Sequence, residues 1–162
     1  MLQQIKRNPL VRRVVLGGVI AAAYAVLCLL LQPISFEAVQ FRLSEALCIL
    51  PLFFPEAVAG LFVGCLLSNL LGGVGILDIV FGSLATLLAA VCVRLLRKQP
   101  FWLYMLPAVV FNGVIVGVEL SVFYALPLWA TMGYVALGEA ISCYVLGYPL
   151  SKAAQKLDKL WN

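Results

Sequence analysis

Six of the seven acidic residues in this 162-residue chain, Glu37, Glu45, Glu56, Asp78, Glu119 and Glu139, lie in or beside long apolar stretches. A carboxylate at the centre of a bilayer costs about 3 kcal/mol or more, so such groups mark proton, ion or substrate chemistry. Arg42 is the only basic residue near them that could serve as a partner. Two amides join the pattern. Asn69 follows Ser68 at the end of one apolar stretch, and Asn112 precedes Glu119 by seven residues, which places both on one helical face. Carboxylates and amide oxygens accept hydrogen bonds from N–H donors. Glu37, Arg42, Glu45, Asn69, Asp78, Asn112, Glu119 and Glu139 are therefore the candidates for a pocket that takes a neutral or cationic heterocycle rich in N–H groups. Either amide also fits a hydrogen bond between helices, worth about 1 kcal/mol in a membrane. Arg42 and Glu45, three residues apart, also fit a structural pair at the pocket mouth. Glu56 reads differently, as a solvated acid at a helix start that complements the dipole.

Missing residue types remove whole classes of function. The chain has no histidine, which excludes His-based metal sites and Ser-His or Cys-His catalysis. Cys28, Cys48, Cys65, Cys92 and Cys143 are scattered without a Cys-x-x-Cys pair and read as small buried hydrophobes, neither metal ligands nor disulfides. No phosphate loop of the Gly-x4-Gly-Lys-Ser/Thr type occurs, so ATP is not bound by that route. The run Gly72-Gly73-Val74-Gly75 lacks the lysine and joins two apolar stretches. Neither a bound metal or cofactor nor an enzymatic activity is expected.

The elements that position these groups are legible from charge spacing. Ten of the eleven Lys and Arg residues form three clusters: Lys6/Arg7/Arg12/Arg13, Arg94/Arg97/Lys98 and Lys152/Lys156/Lys159. Short basic flanks stay on the cytoplasmic side of a membrane, so an even number of spans must separate successive clusters. A composition 64% hydrophobic and 11% charged leaves too little polar surface for a water-soluble globule. Charges flanking apolar spans, and not forming one patch, also argue against nucleic acid as a partner.

Parity then decides the count. Residues 43–71 as one helix would measure about 44 Å against a hydrocarbon core of about 30 Å. They also contain Pro51 and Pro55, which break helices. Two short helices there keep the middle cluster inside. The expectation is an all-α membrane protein, one domain over 1–162, with six transmembrane helices near 14–31, 43–53, 56–71, 75–96, 101–124 and 129–150 and both termini cytoplasmic. Short, interrupted helices at membrane depth survive only when buried in protein or lining a cavity, and in transporters they often border the substrate. A tilted packing element is the plainer reading of the second helix.

Small residues Gly17, Ala21 and Ala25 recur every fourth position in the first helix, with Gly18 and Ala22 one place over. Such a face lets another helix approach closely, either within the chain or on a separate subunit. Phe36, Phe41, Tyr124, Trp129 and Tyr134 are candidate stacking surfaces, although interfacial aromatic belts account for such residues equally well.

The stretch Gln40-Phe41-Arg42-Leu43-Ser44-Glu45-Ala46-Leu47, followed by Leu50-Pro51, resembles the second-helix signature of QueT-type proteins. So do Ser68-Asn69, the Gly-rich turn, Asp78-Ile79-Val80-Phe81-Gly82-Ser83 with Thr86, Asn112-Gly113 and Gly138-Glu139. These are the queuosine-precursor S components of energy-coupling factor (ECF) transporters. The resemblance implies a six-helix subunit of the plasma membrane that captures a 7-deazaguanine outside the cell: the 7-cyano or 7-aminomethyl precursor, or queuine. It implies partners, namely a transmembrane coupling subunit and two cytoplasmic ATPases that use the ATP. It also implies a lid formed by residues 32–41 and a docking strip at Ala21 and Ala25. A guanine edge offers N1–H and an exocyclic amine to a carboxylate, while its O6 seeks a donor. Glu119 or Glu139 is expected at that edge, Asn69 or Asn112 at O6 or the pyrrole side, and Asp78 at the ring or a 7-aminomethyl cation. The competing readings are an S component for another vitamin and a stand-alone proton-coupled carrier.

Overall fold

In a computed structural model, residues 8–31, 42–73 and 75–161 are described, and they form six helices with no strand among them. The first helix, α1 (Pro9–Leu30), starts earlier than its apolar run. Asn8 caps it, accepting from the backbone N–H of Leu10 at 3.0 Å, and Pro9 occupies the first turn, where its missing N–H costs nothing. Arg12 and Arg13 are therefore helical, not a flank before the helix.

The second helix, α2 (Leu43–Leu52), is a 3-10 helix of 10 residues containing Pro51. Its larger rise, about 2 Å per residue, carries it about 20 Å with few residues. It touches all five other helices and is buried from Ser44 to Ile49, so it runs through the centre of the bundle. Both ends are tied by cations. Arg42 stands at its N-cap, and Arg94 Nη1 donates to the carbonyls of Pro51 and Leu52 at 3.0 Å each, satisfying oxygens that a helix end leaves open.

The chain turns at Pro55 into α3 (Ala57–Leu71), which crosses α1 through small residues. A Cβ on Gly60 would lie 2.7 Å from the Gly17 carbonyl, and one on Gly64 2.7 Å from the Ala21 carbonyl. Only glycine permits that approach. Helix α4 opens with a π-helical turn (Asp78–Gly82) and continues as Ser83–Leu95. Helix α5 runs as Phe101–Phe111, a π turn (Asn112–Val116) and Gly117–Tyr124. Ala125, at φ 52°, ends it before Leu126-Pro127. Helix α6 comprises Leu128–Ala140, a third π turn (Ile141–Leu146) and Gly147–Trp161. The Lys-bearing tail is thus a continuation of the last helix. Gly113 and Gly117 of α5 meet Ala136 and Met132 of α6 in a second small-residue contact.

Three helices, Leu10–Leu30, Asp78–Leu95 and Phe101–Tyr124, are long and apolar enough to cross a membrane, and α2 and α3 are shorter apolar helices. The polarity of the bundle is inverted relative to a water-soluble protein. Arg42, Glu45, Asn69, Asp78, Asn112, Glu119 and Glu139 are buried, while Val14, Val19, Leu30, Leu95, Val122 and Leu137 face outward. Hydrocarbon outside makes that arrangement favourable and water would not. Described members of the three basic clusters, Arg13, Arg94 and Lys152, lie toward one end. Arg13 pairs with Glu56 at 3.5 Å, Arg94 reaches Pro51, and Lys152 sits over Tyr148, whose ring meets Phe101.

Candidate substrate-binding site

The departures from regular α-helix lie against one another in the core. The 3-10 helix α2 lies against the π turn of α6, and the π turns of α4 and α5 touch each other. A π turn widens the helix by one residue and swings the following side chains out of α register, a common device at binding sites. These turns hold Asp78, Asn112 and Ser142.

The centre has two linked parts. In the first, Arg42 Nη2 donates to Asp78 Oδ1 at 3.2 Å, and Asn69 Nδ2 donates to the Asp78 carbonyl at 2.8 Å. Gly82 closes this part, since a Cβ there would lie 3.2 Å from Asn69 Nδ2 and 3.4 Å from Arg42 Nη1. Glu119 lies within electrostatic reach of both Asp78 and Arg42. In the second part Glu45 is fully buried. Its carboxylate accepts from the Tyr24 hydroxyl, from Thr86 Oγ1 at 3.2 Å and from Cys48 Sγ at 2.9 Å. Glu139 lies within electrostatic reach of Glu45 and Arg42, and Cys143 Sγ stands 3.8 Å from its Oε2. Cys65 joins the halves, within 3.8 Å of Arg42 Nη1, 3.7 Å of Asn69 Nδ2 and 3.4 Å of Thr86 Oγ1.

The structure therefore brings Arg42, Glu45, Asn69, Asp78, Glu119 and Glu139 together. Asn112 is buried on α5, where its Nδ2 bonds back to the Ala108 carbonyl at 3.1 Å and helps to stabilise the π turn. Glu37, together with the expected lid 32–41, Phe36 and Phe41, lies outside the described residues. Two expectations change. Arg42 pairs with Asp78 and not with Glu45, because Arg42 precedes α2 while Glu45 points into the bundle axis. Tyr124, Trp129 and Tyr134 are exposed to 47%, 80% and 57%, so they belong to the outer surface and offer no stacking face to the buried acids. Ala21 and Ala25 are buried, Ala21 beneath Gly64 of α3. A groove of about 330 Å³ beside Ala21 has apolar walls that include Gly17, Gly18 and Val63, with Arg13 and Glu56 also lining it.

Four buried polar atoms among the described residues have no hydrogen-bond partner: Asn69 Oδ1, Ser83 Oγ, Glu119 Oε2 and Ser142 Oγ. An unsatisfied buried acceptor costs about 1–3 kcal/mol, more when charged. Two of the four, Asn69 Oδ1 and Glu119 Oε2, are acceptors on residues that neighbour the Arg42–Asp78 pair.

Sequence reasoning missed Tyr24 and the polar use of the cysteines. Tyr24 falls on the stripe of α1 that carries Ala21 and Cys28, and a lone Tyr hydroxyl on a buried stripe is a signal that an acceptor stands opposite. Nothing in the spacing identified Glu45 as that acceptor.

The profile of the QueT transporter family matches residues 14–156. The chain is 27% identical over 155 residues to the queuosine precursor transporter QueT of Lactococcus lactis subsp. cremoris (strain MG1363), an alignment covering 87% of this chain and 91% of that protein. No solved structure matches the chain significantly. A family match over most of the bundle, together with a buried polar centre inside an apolar exterior, leads to one conclusion: the chain belongs to the QueT transporter family and is a transporter, not an enzyme.

Proposed function

We propose that this chain is the substrate-binding S component of an ECF-type importer and that it captures a 7-deazaguanine queuosine precursor at the polar centre. The observation that carries the reading is the pair of orphaned acceptors, Glu119 Oε2 and Asn69 Oδ1, beside the Arg42–Asp78 pair. A carboxylate matches the N1–H and 2-amino edge of a guanine in bidentate fashion. Asn69 directs one Nδ2 hydrogen to the Asp78 carbonyl and the other to Cys65 Sγ, so its open Oδ1 is an acceptor for the pyrrole N–H. The hydroxyls of Ser83 and Ser142 are the available donors for O6.

In this reading the six helices cross the bacterial plasma membrane with the basic end and both termini cytoplasmic, and the Asp78 end faces outward. A transmembrane coupling subunit docks along α1 at the groove beside Gly17, Gly18 and Ala21, and two partner ATPases supply the energy. Glu37 and its loop would cover the site.

Binding of 7-cyano- and 7-aminomethyl-7-deazaguanine to the purified protein tests the assignment. Wild type binds at least one of them, and Glu119→Gln and Asn69→Ala each lose about tenfold or more, the size of one charge-assisted hydrogen bond. Undiminished affinity in both variants rules the assignment out. Uptake by vesicles that lack the ATPases would favour a stand-alone carrier.

A further inference from the structure

Away from the polar centre, a groove of about 400 Å³ lies between α4 and α5 on the outside of the bundle. Its walls include Leu95, Leu96, Leu103, Leu106, Val110 and Phe111, and no charged residue, glycine, alanine, serine or threonine lines it. From Leu103 to Phe111 helix α5 rises about 12 Å. That is most of the depth of one leaflet's hydrocarbon, about 15 Å. Two observations say what fills the groove. Helices pack against one another in membranes through small residues. The groove beside Gly17, Gly18 and Ala21 has them, and the α4–α5 groove has none. Its mouth is also positively charged. Leu95 and Leu96 lead directly into Arg97 and Lys98, both exposed. Neither pairs with a carboxylate among the described residues, and the chain has no Asp or Glu from residue 79 to 118. Arg94 is spent on the carbonyls of Pro51 and Leu52, so Arg97 and Lys98 are the cations presented at this end of the hairpin. Trp102, exposed one turn before Leu106, marks the headgroup level, where tryptophan concentrates.

We propose that the α4–α5 groove is a binding site for an anionic phospholipid of the leaflet at the basic end: one acyl chain lies along Leu103, Leu106 and Val110, and the headgroup phosphate meets Arg97 and Lys98. Basic residues at the mouth of an apolar cleft between membrane helices select anionic over zwitterionic lipids, because only the former carry net charge to be neutralised. The chain adds affinity through each methylene that it buries. The site is separate from the polar centre and does not depend on which substrate is carried.

Native mass spectrometry of the full chain tests this, with equal amounts of phosphatidylglycerol and phosphatidylcholine of identical acyl chains. Phosphatidylglycerol should bind about tenfold tighter or more, within the span of two basic residues near a membrane surface. Arg97→Gln with Lys98→Gln should bring the two lipids within threefold, whereas Lys152→Gln with Lys156→Gln should leave the preference intact. Val110→Trp, which fills the groove, should weaken both lipids about fivefold or more, the loss of one or two buried methylenes. Equal binding of the two lipids to wild type overturns the proposal. So does a preference that survives neutralisation of Arg97 and Lys98, or that falls as far in the Lys152 and Lys156 variant. Displacement of phosphatidylglycerol by millimolar glycerol 3-phosphate would show a headgroup site without the groove, and a lipid-free dimer that Val110→Trp dissociates would show a second copy there; either result overturns it. Arg97 and Lys98 are exposed, so the wild-type ratio and their neutralisation decide even if Val110→Trp fails to fold.

Discussion

The guanidinium of Arg42 lies 3.2 Å from the carboxylate of Asp78 across 36 residues of chain, and it fastens the start of the central 3-10 helix to the π turn that opens α4. Both groups are buried, so each compensates a charge that the bundle interior would otherwise expel. Removing one partner of such a pair costs more than removing both, because the survivor is left charged and dry.

Arg42→Met should therefore lower stability by about 3–5 kcal/mol, as an uncompensated buried charge does. Arg42→Met combined with Asp78→Asn should recover more than half of that loss. Thermal unfolding of the purified variants in detergent measures both, and a double variant as unstable as the single one would show that the pair is not an isolated unit.

Two glycines should separate packing from recognition. Gly64→Val drives a side chain into the Ala21 backbone 2.7 Å away, at a cost of about 1–3 kcal/mol or outright loss of folded protein. Gly82→Ala meets only side-chain atoms, Asn69 Nδ2 at 3.2 Å, Arg42 Nη1 at 3.4 Å and Asp78 Oδ1 at 3.8 Å. Its unfolding temperature should change little while ligand affinity falls several-fold. Equal effects on both properties at both positions would contradict this division.

Arg94 belongs to the architecture and not to the site. Arg94→Met frees the carbonyls of Pro51 and Leu52, and unfolding should become easier by about 1–3 kcal/mol with ligand affinity within twofold of wild type. Isothermal titration beside a denaturation series provides both readings.

Tyr24 and Glu45 should behave as a coupled unit. Tyr24→Phe takes one donor from a buried carboxylate that also holds Thr86 and Cys48. In a double-mutant cycle with Glu45→Gln, the interaction energy should be about 0.5–3 kcal/mol. Strict additivity would mean that the hydroxyl contributes nothing there.

Single cysteines placed at Arg12, Arg97 and Lys156 should all react with a membrane-impermeant maleimide from the same side, because Arg13, Arg94 and Lys152 lie toward one end of the described bundle. Labelling of residue 97 from the opposite side would break the six-span reading.

Some of this was readable from the chain alone. Clustered Lys and Arg residues, Pro51 with Pro55, and the length limit of a bilayer implied a broken second segment, and the structure has two short helices there. Those signals are local in sequence, and a membrane acts on them directly through length and charge. Buried acids were also legible, since a carboxylate in an apolar run is conspicuous on its own.

Partnership was not legible. Arg42 stands three residues from Glu45 in sequence but bonds Asp78, Tyr24 meets Glu45 from another helix, and Asn69 spends its nitrogen on a backbone carbonyl. Likewise, the small-residue stripe of α1 announced a close contact without saying that α3 would fill part of it through Gly60 and Gly64. Which groups pair depends on helix rotation, and three π turns shift that rotation by a residue each without any marker in the sequence. Residue types determined that the interior would hold charge; the tertiary arrangement decided which of the buried polar groups are partnered and which are not.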